Sequence, residues 1–334
     1  MDFQPTEDQR DLRAGVRGLL EGRYGREALR AAVDAAAGAG TDAGTGTAVD
    51  RGLWRELGEA GFFALRLPES EGGVGLGLPE AVIVFEEAGR ALVPGPLVAT
   101  HLAAGVVPGA AAGTAVVTAF DLTRDLTGDL TGDLAGDRAG DLVAYLGEAD
   151  AVLGAAGVPV GEPVRAADPL TPLHRVARQG GADAAAYGPA YGSAYVSEGA
   201  LLTAALQVGS ALRTVELAVR YAGEREQFGQ PIGAFQAVKH LCAQMLVRAE
   251  VARTAVYAAA VTGDPGEAAG AKLLADEAAV RNARDCLQVH GGMGFTWEAD
   301  VHLHLKRAWV RAAQWRTAAE AEELLAAELL ASAG

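Results

Sequence analysis

Two helical patterns, joined by a segment that cannot be helical, constrain the fold of this chain more than any other feature. Before the joint, apolar residues recur at alternating steps of four and three: Leu201, Ala205, Val208, Leu212, Val215, Val219 and Ala222. After it the same kind of spacing returns: Phe235, Val238, Cys242, Met245, Ala249, Ala252, Val256 and Ala259. Such spacing places the apolar side chains on one face of a helix. Residues 229–231, Gly-Gln-Pro, interrupt the pattern. The sequence therefore predicts a hairpin of two long helices with Arg225, Gln227 and Phe228 at its turn.

Two further helical patterns extend this hairpin. A third helix is expected from about Glu267 to His290, where a glycine-rich turn follows. The fourth pattern consists of Val301, Leu305, Ala308, Ala312, Trp315 and Ala319. Because no glycine or proline occurs between Phe295 and Ala333, this stretch is expected to be one uninterrupted helix. The C-terminal part, residues 197–334, is thus predicted to be a four-helix bundle.

The rest of the chain divides into a helical part and a β-like part. Thr6 and Gln9 have the spacing of a capping box, and Asp50 is placed to cap a second helix. Residues 1–113 are therefore predicted to form a small helical domain. Residues 114–196 contain short β-like runs among glycines and prolines, and an acidic tetrapeptide repeat from Leu122 to Asp141 that we interpret as a mobile loop. The predicted fold class is mainly α with a small, reduced β domain.

Charge and composition exclude several classes of function. The 334 residues carry a formal net charge of −15, which argues against a nucleic-acid partner, so that any basic site must be local. The N-terminus is acidic where a signal peptide is basic, and no run of 18 apolar residues occurs, so a cytoplasmic protein without a membrane span is expected. Two cysteines make no disulfide framework. His302 and His304, two apart on a helix, do not suggest a metal site.

Two short motifs become informative when they are taken together. Arg225 alone is most simply a surface ion-pair residue, and the Gly-Gly-x-Gly after His290 is most simply a helix C-cap. In this order and separation, however, REQFGQPIGAFQAVKH and QVHGGMGFTWE resemble the two C-terminal signatures of the acyl-CoA dehydrogenase family. The N-terminal stretch GGVGLGLPEAVIVFEEAGRALVPGPL resembles that family too. The resemblance implies a helical N-terminal domain, a β domain and a C-terminal helical bundle.

The resemblance also implies a cofactor and a mode of assembly. By similarity, Arg225 would bind the pyrophosphate of FAD and Phe228 would pack beside the adenine end. Gln288, Gly291 and Gly292 would line the adenosine-diphosphate part of the cofactor. In the same signatures, Gln227 and Gln236 are further candidate cofactor-binding residues. Members of the family complete this site across a subunit interface, so a homodimer, a homotetramer or a heteromer with a homologous subunit is expected, serving an acyl thioester substrate and an electron-transfer acceptor.

The catalytic base that the family uses is not evident in this chain. By resemblance, the usual glutamate falls on Trp315. In a minority of the family the base lies at the start of the first bundle helix, where alignment through Arg225 gives Gly199, beside Glu198. Glu198 is therefore the candidate base, although an acid in a first helical turn is equally expected as a simple N-terminal charge. The flavin-ring segments of the family are also not found between Thr114 and Tyr195.

Three hypotheses about function remain open at this point. The first is a flavoenzyme that performs α,β-dehydrogenation of an acyl thioester carried by CoA or a carrier protein. The second is a non-catalytic partner subunit of a heteromeric acyl-CoA dehydrogenase, which would contribute the ADP half of the FAD site. The third is a family fold recruited to other biosynthetic chemistry.

Overall fold

The computed structural model describes residues 5–38, 48–122, 140–177 and 192–332. Its N-terminal part is helical, with α1 (Glu7–Arg23), α2 (Arg26–Gly38), α3 (Arg51–Glu59), α4 (Leu78–Arg90) and α5 (Leu97–Leu102). The predicted capping box is present: the Gln9 amide donates to the Thr6 hydroxyl, and the Thr6 amide donates to the Gln9 side chain. Asp50 accepts from the Gly52 and Leu53 amides at the start of α3, as predicted.

The middle part is a small β region. Strands β1 (Val117–Thr118) and β3 (Ala151–Val152) pair in parallel. Strands β2 (Gly140–Ala144), β5 (Leu173–Ala177) and β4 (Glu162–Val164) form an antiparallel sheet in that order. The predicted loop over the acidic repeat lies almost wholly outside the described residues, as residues 123–139 are among those not described.

The C-terminal part contains the predicted helical hairpin and bundle. Its helices are α6 (Ser193–Glu224), α7 (Gln236–Thr262), α8 (Pro265–His290), α9 (Val301–Ala312) and α10 (Ala318–Ser332). Between α6 and α7, β6 (Glu226–Gln227) pairs with β7 (Gln230–Pro231) across a tight turn. Most of the predicted α6 seam is buried, but Val219 is 52% exposed, so its assignment to the seam was wrong. The mainly α fold with a small β region agrees with the sequence prediction.

The expected uninterrupted final helix is wrong. The chain leaves the helix after Ala312 and re-enters it at Ala318, and Trp315 between them has a positive φ of 63°. The Trp315 amide donates to the Asp121 carbonyl at 2.5 Å, and Leu122 forms a β-bridge with Gln314. These contacts with the middle region override a local sequence that contains no helix breaker, since helix propensity is only a weak prior.

Close backbone contact joins the N-terminal helices to the bundle. A Cβ at Gly89 of α4 would lie 2.0 Å from the Leu206 carbonyl oxygen, and one at Gly209 of α6 would lie 1.8 Å from the Glu86 carbonyl oxygen. Only residues without a side chain permit this approach of two helices. A continuous hydrophobic core therefore runs from Trp54 and Phe85 into the bundle.

Candidate functional site

The hairpin turn holds Arg225 at the end of α6. The Arg225 amide donates to the Tyr221 carbonyl at 2.8 Å, and its own carbonyl accepts from the Ile232 amide at 2.8 Å. The backbone is thus fixed on both sides while the residue stays exposed. At the tip of the turn, Phe228 and Gly229 both have positive φ, and the Phe228 ring is 92% exposed.

The second motif lies beside the first because α6 and α8 end together. The rings of Tyr221 and His290 stack, with centroids 4.2 Å apart and an interplanar angle of 22°. His290 Nδ1 donates to the Cys286 carbonyl at 2.8 Å, which fixes the ring at the helix end. Gly291 then takes a φ of 58° and starts a short 3₁₀ turn. The structure therefore brings the two predicted motifs to one end of the bundle.

The remaining predicted cofactor residues are all exposed at this end or next to it: Gln227, Gln236, Gln288 and Gly292. A Cβ at Gly292 would meet no atom within 4 Å, so packing of the described chain does not require glycine there. The φ of Gly291 does favour glycine. An exposed guanidinium suits an anionic ligand such as a pyrophosphate, and glycines beside it leave room for that ligand to approach the backbone.

Glu198 lies in a different environment. It forms an ion pair with Arg66 and lies 4.0 Å from His101 Nε2. These side chains border a cleft of about 260 Å³ whose apolar wall includes Phe63 and Leu102. Burial lowers the pKa of His101 to about 4, against the opposing influence of Glu198. The imidazole is therefore neutral at pH 7, and the Glu198 carboxylate is held by Arg66.

Trp315 and Gly199 pack against each other. A Cβ at Gly199 would lie 2.3 Å from an indole ring atom of Trp315, and the Trp315 residue is 6% exposed. These are the two positions at which the resemblance placed a catalytic base. An indole and a hydrogen atom occupy them, and neither can accept a proton from a substrate.

A buried carboxyl group lies next to this pair. Asp121 accepts from Gln314 Nε2 at 2.8 Å, and burial raises the Asp121 pKa to about 7. Asp121, Arg311 and Trp315 border a cavity of about 30 Å³. That volume is room for roughly one or two water molecules, far less than a flavin ring needs.

Sequence reasoning missed the buried arginines of α9. Arg307 donates to Asp168 and, at 3.3 Å, to the Val93 carbonyl, while Arg311 donates to the Leu206 carbonyl at 3.2 Å. They join α9 to the middle region, to the segment between α4 and α5, and to α6. Their spacing of four residues, which places both on one helical face, was the signal that could have found them.

Neither a metal cluster nor a membrane-spanning helix is found in the described ranges. Those ranges contain no group of three or more His, Cys, Asp and Glu side chains that could hold a metal ion. The described helices are also too short or too polar to cross a bilayer.

Comparison with known proteins agrees with the motifs. The family model "Acyl-CoA dehydrogenase, N-terminal domain" matches residues 6–119, and "Acyl-CoA dehydrogenase, C-terminal domain" matches residues 191–324. The acyl-CoA dehydrogenase IpdE2 of Mycobacterium tuberculosis is 37% identical over 310 residues, covering 91% of this chain and 92% of that protein. IpdE2 of Mycolicibacterium smegmatis is 34% identical over 308 residues, covering 91% and 93%.

A solved structure extends the agreement to the fold. The ChsE4–ChsE5 complex from Mycobacterium tuberculosis contains a chain that matches with a TM-score of 0.79 and 26% identity, over 99% of each chain. The resemblance inferred from REQFGQPIGAFQAVKH and QVHGGMGFTWE is thereby confirmed. This chain belongs to the acyl-CoA dehydrogenase family.

Proposed function

We propose that this chain is a subunit of a heteromeric, FAD-dependent acyl-CoA dehydrogenase, in which a homologous subunit supplies the catalytic carboxylate. The contact between Trp315 and Gly199 is the observation that carries this proposal. Abstraction of the α-proton of an acyl thioester requires a base within reach of that proton. Here the two positions considered for that base hold Trp315 and Gly199, and the indole packs on the glycine.

The role assigned to this subunit is to bind the ADP half of FAD. Arg225, with its backbone fixed and its side chain exposed, would form charge-assisted hydrogen bonds with the pyrophosphate. Gln288, Gly291 and Gly292, at the C-terminal end of α8, would line the same group, and the absence of a Cβ at the two glycines would let it approach the backbone. Phe228, Gln227 and Gln236 would contact the adenosine part.

The bound FAD would supply the acceptor for the β-hydride of an acyl thioester, with an electron-transfer protein as the final acceptor. The residues of this chain would orient that cofactor and exclude water from one side of it. The solved structure of ChsE4 with ChsE5 supports pairing with a second protein, because a chain of that complex has the fold of this one.

A second candidate is a self-sufficient dehydrogenase with Glu198 as base. The cleft of about 260 Å³ beside Glu198 favours it, because a ligand could reach the carboxylate there. Against it, Glu198 is already paired with Arg66 and lies in this cleft with His101 rather than under the Trp315 indole.

Co-expression with a homologous subunit that has the family's catalytic glutamate separates the two candidates. We expect a co-purifying yellow complex that dehydrogenates an acyl-CoA, and a colourless chain when this protein is expressed alone. Arg225→Ala should weaken FAD binding by the complex at least about tenfold, a loss of roughly 1.4 kcal/mol, and so lower its flavin content. Arg55→Ala, at an exposed position on α3, should leave it unchanged.

Two results would contradict the proposal. Full flavin content in the Arg225→Ala complex would refute the assigned role of this residue. A yellow, active homo-oligomer whose activity is lost in Glu198→Gln would establish the second candidate instead.

A further inference from the structure

A second cleft lies at the junction between α1 and α2, far from the Arg225 end of the bundle. It has a volume of about 130 Å³ and is bordered by α1, α2, α4, α6 and the start of α9. Arg213 lies on its α6 wall, twelve residues before Arg225, which corresponds to roughly 18 Å along a helix. The two sites are therefore separate.

The lining of this cleft is amphipathic. Its inner wall contains the buried side chains Leu20, Leu29 and Leu92. Around them lie four arginines, contributed by α1, α2, α4 and α6: Arg17, Arg26, Arg90 and Arg213. Three carboxylates, those of Glu21, Glu87 and Asp300, line the cleft as well, so its polar rim carries both charges.

Three of these arginines are each paired with a carboxylate through short hydrogen bonds. The fourth, Arg213, uses only one of its N–H donors. Arg17 makes two hydrogen bonds with Glu87, at 2.7 and 2.8 Å, and Arg90 makes two with Glu216. Arg26 pairs with Asp300 at 2.6 Å. Arg213 makes a single hydrogen bond, from Nη1 to Glu216 at 3.0 Å, although a guanidinium carries five N–H donors.

The inner wall also contains a buried histidine close to the arginines. His304 lies there, and its Nδ1 is 2.7 Å from the Ser210 hydroxyl. Burial lowers the His304 pKa to about 3, and Arg213, Arg311, Arg307 and Arg90 act in the same direction.

Tyr24 adds an unsatisfied donor to the same wall. It borders the cleft at 6% exposure, and its hydroxyl has no hydrogen-bond partner within the described part of the chain. A buried hydroxyl without a partner costs free energy, so a ligand or water that engages it is favoured.

We propose that this cleft binds a small amphipathic anion, with a carboxylate head near Arg213 and an apolar body on the leucine wall. A dry cavity of about 150 Å³ accommodates benzene, so the body here is limited to about six heavy atoms. Coenzyme A and dinucleotides are too large. The proposal does not depend on the flavin chemistry, since no residue of the Arg225 end takes part.

Benzoate is the probe that matches this description, and its binding is measured by calorimetry and thermal shift on the full chain as purified. Benzyl alcohol tests the need for the charge, and inorganic phosphate tests the need for the apolar body. We expect saturable benzoate binding, at least about tenfold weaker binding of both other probes, and at least about tenfold weaker benzoate binding in Arg213→Gln. Arg55→Gln is the matched control and should bind benzoate like the parent chain.

A second variant keeps the test independent of charge and folding. Leu217→Trp places a large ring in the cleft from the α6 wall, and should abolish benzoate binding while circular dichroism shows an unchanged helical fold. Equal binding of benzoate and benzyl alcohol, or undiminished binding in Arg213→Gln or Leu217→Trp, would overturn the proposal. Flavin content in the heteromeric complex is expected to stay at the parental value in Arg213→Gln, so failure here and failure of the proposed function are distinguishable.

Discussion

At the scale of single residues, the contact between Trp315 and Gly199 is the basis of the proposed function. Only 6% of the Trp315 residue is exposed, and its backbone amide is bonded to Asp121. A side chain at residue 199 would collide with the indole. The space that a base and its substrate would share is therefore part of the hydrophobic core.

Replacing Trp315 tests how much of the fold depends on this packing. Trp315→Ala should lower the free energy of unfolding by about 3–5 kcal/mol, because it removes a buried aromatic side chain and leaves a cavity over Gly199. Urea unfolding of the full chain measures the change. Trp309→Ala is the matched control, since Trp309 on α9 is 45% exposed and should cost about 1 kcal/mol or less. Equal losses in the two variants would show that the contact with Gly199 is not important for stability.

At this scale, sequence prediction succeeded where the cause was local. Thr6, Gln9 and Asp50 were identified as helix caps because a cap depends on residues within three positions of it. The position of Trp315 depends on Asp121, nearly two hundred residues away, and no local sequence pattern predicts this contact. Arg307 and Asp168 are a similar long-range pair.

At the scale of elements, the contact between α4 and α6 fixes the N-terminal helices on the bundle. Gly89 and Gly209 allow the two backbones to touch, and each glycine faces a carbonyl of the other helix. Near this contact, Arg90 and Glu216 form a salt bridge that links the same two helices. The N-terminal part and the bundle are therefore expected to unfold together.

A methyl group at Gly209 should break this contact. Gly209→Ala is expected to lower the free energy of unfolding by about 1–3 kcal/mol, because the added Cβ would lie 1.8 Å from the Glu86 carbonyl oxygen and the helices must separate. Gly223→Ala, on the same helix, is the control, since a Cβ there meets nothing within 4 Å. It should be neutral or stabilising by up to about 1 kcal/mol. Thermal unfolding of both variants decides the matter, and a stable Gly209→Ala chain would disprove the close contact.

Element prediction was accurate wherever apolar periodicity was long. Helices α6, α7 and α8 were all predicted, since each has a seam of several turns. The break that was missed, after Ala312, contains neither proline nor glycine. Tertiary contacts of residues 313–317 determine this break, so the local sequence was insufficient.

At the scale of the whole molecule, two buried histidines link stability to pH. Burial lowers the pKa of His101 to about 4 and that of His304 to about 3, below the value near 6.5 of the unfolded chain. Below pH 6.5 the unfolded chain therefore binds protons that the folded chain does not. The contribution of these two histidines to stability is fully present well above pH 6.5 and is lost as the pH falls towards the folded-state values.

Each histidine should thus cost about 2 kcal/mol of stability between pH 7 and pH 5. His304→Gln should remove the contribution of one histidine, so the loss of stability on lowering the pH should be smaller by about 2 kcal/mol. This expectation does not depend on how the substitution changes stability at pH 7. His240→Gln, at an exposed position on α7, should leave the pH dependence unchanged. Urea unfolding at pH 5, 6 and 7 gives the comparison. A His304→Gln chain with the parental pH dependence would show that the imidazole is not held neutral by the fold.

The shapes of Trp315 and Gly199 also bear on the history of this chain. A carboxylate restored at residue 315 alone would leave a void and an unpaired charge in the core, and a side chain introduced at residue 199 alone would strike the indole. Each single step is therefore expected to destabilise the fold. Descendants of this sequence would regain a base at either position through paired substitutions, so the division of labour that we propose between subunits would be hard for evolution to undo.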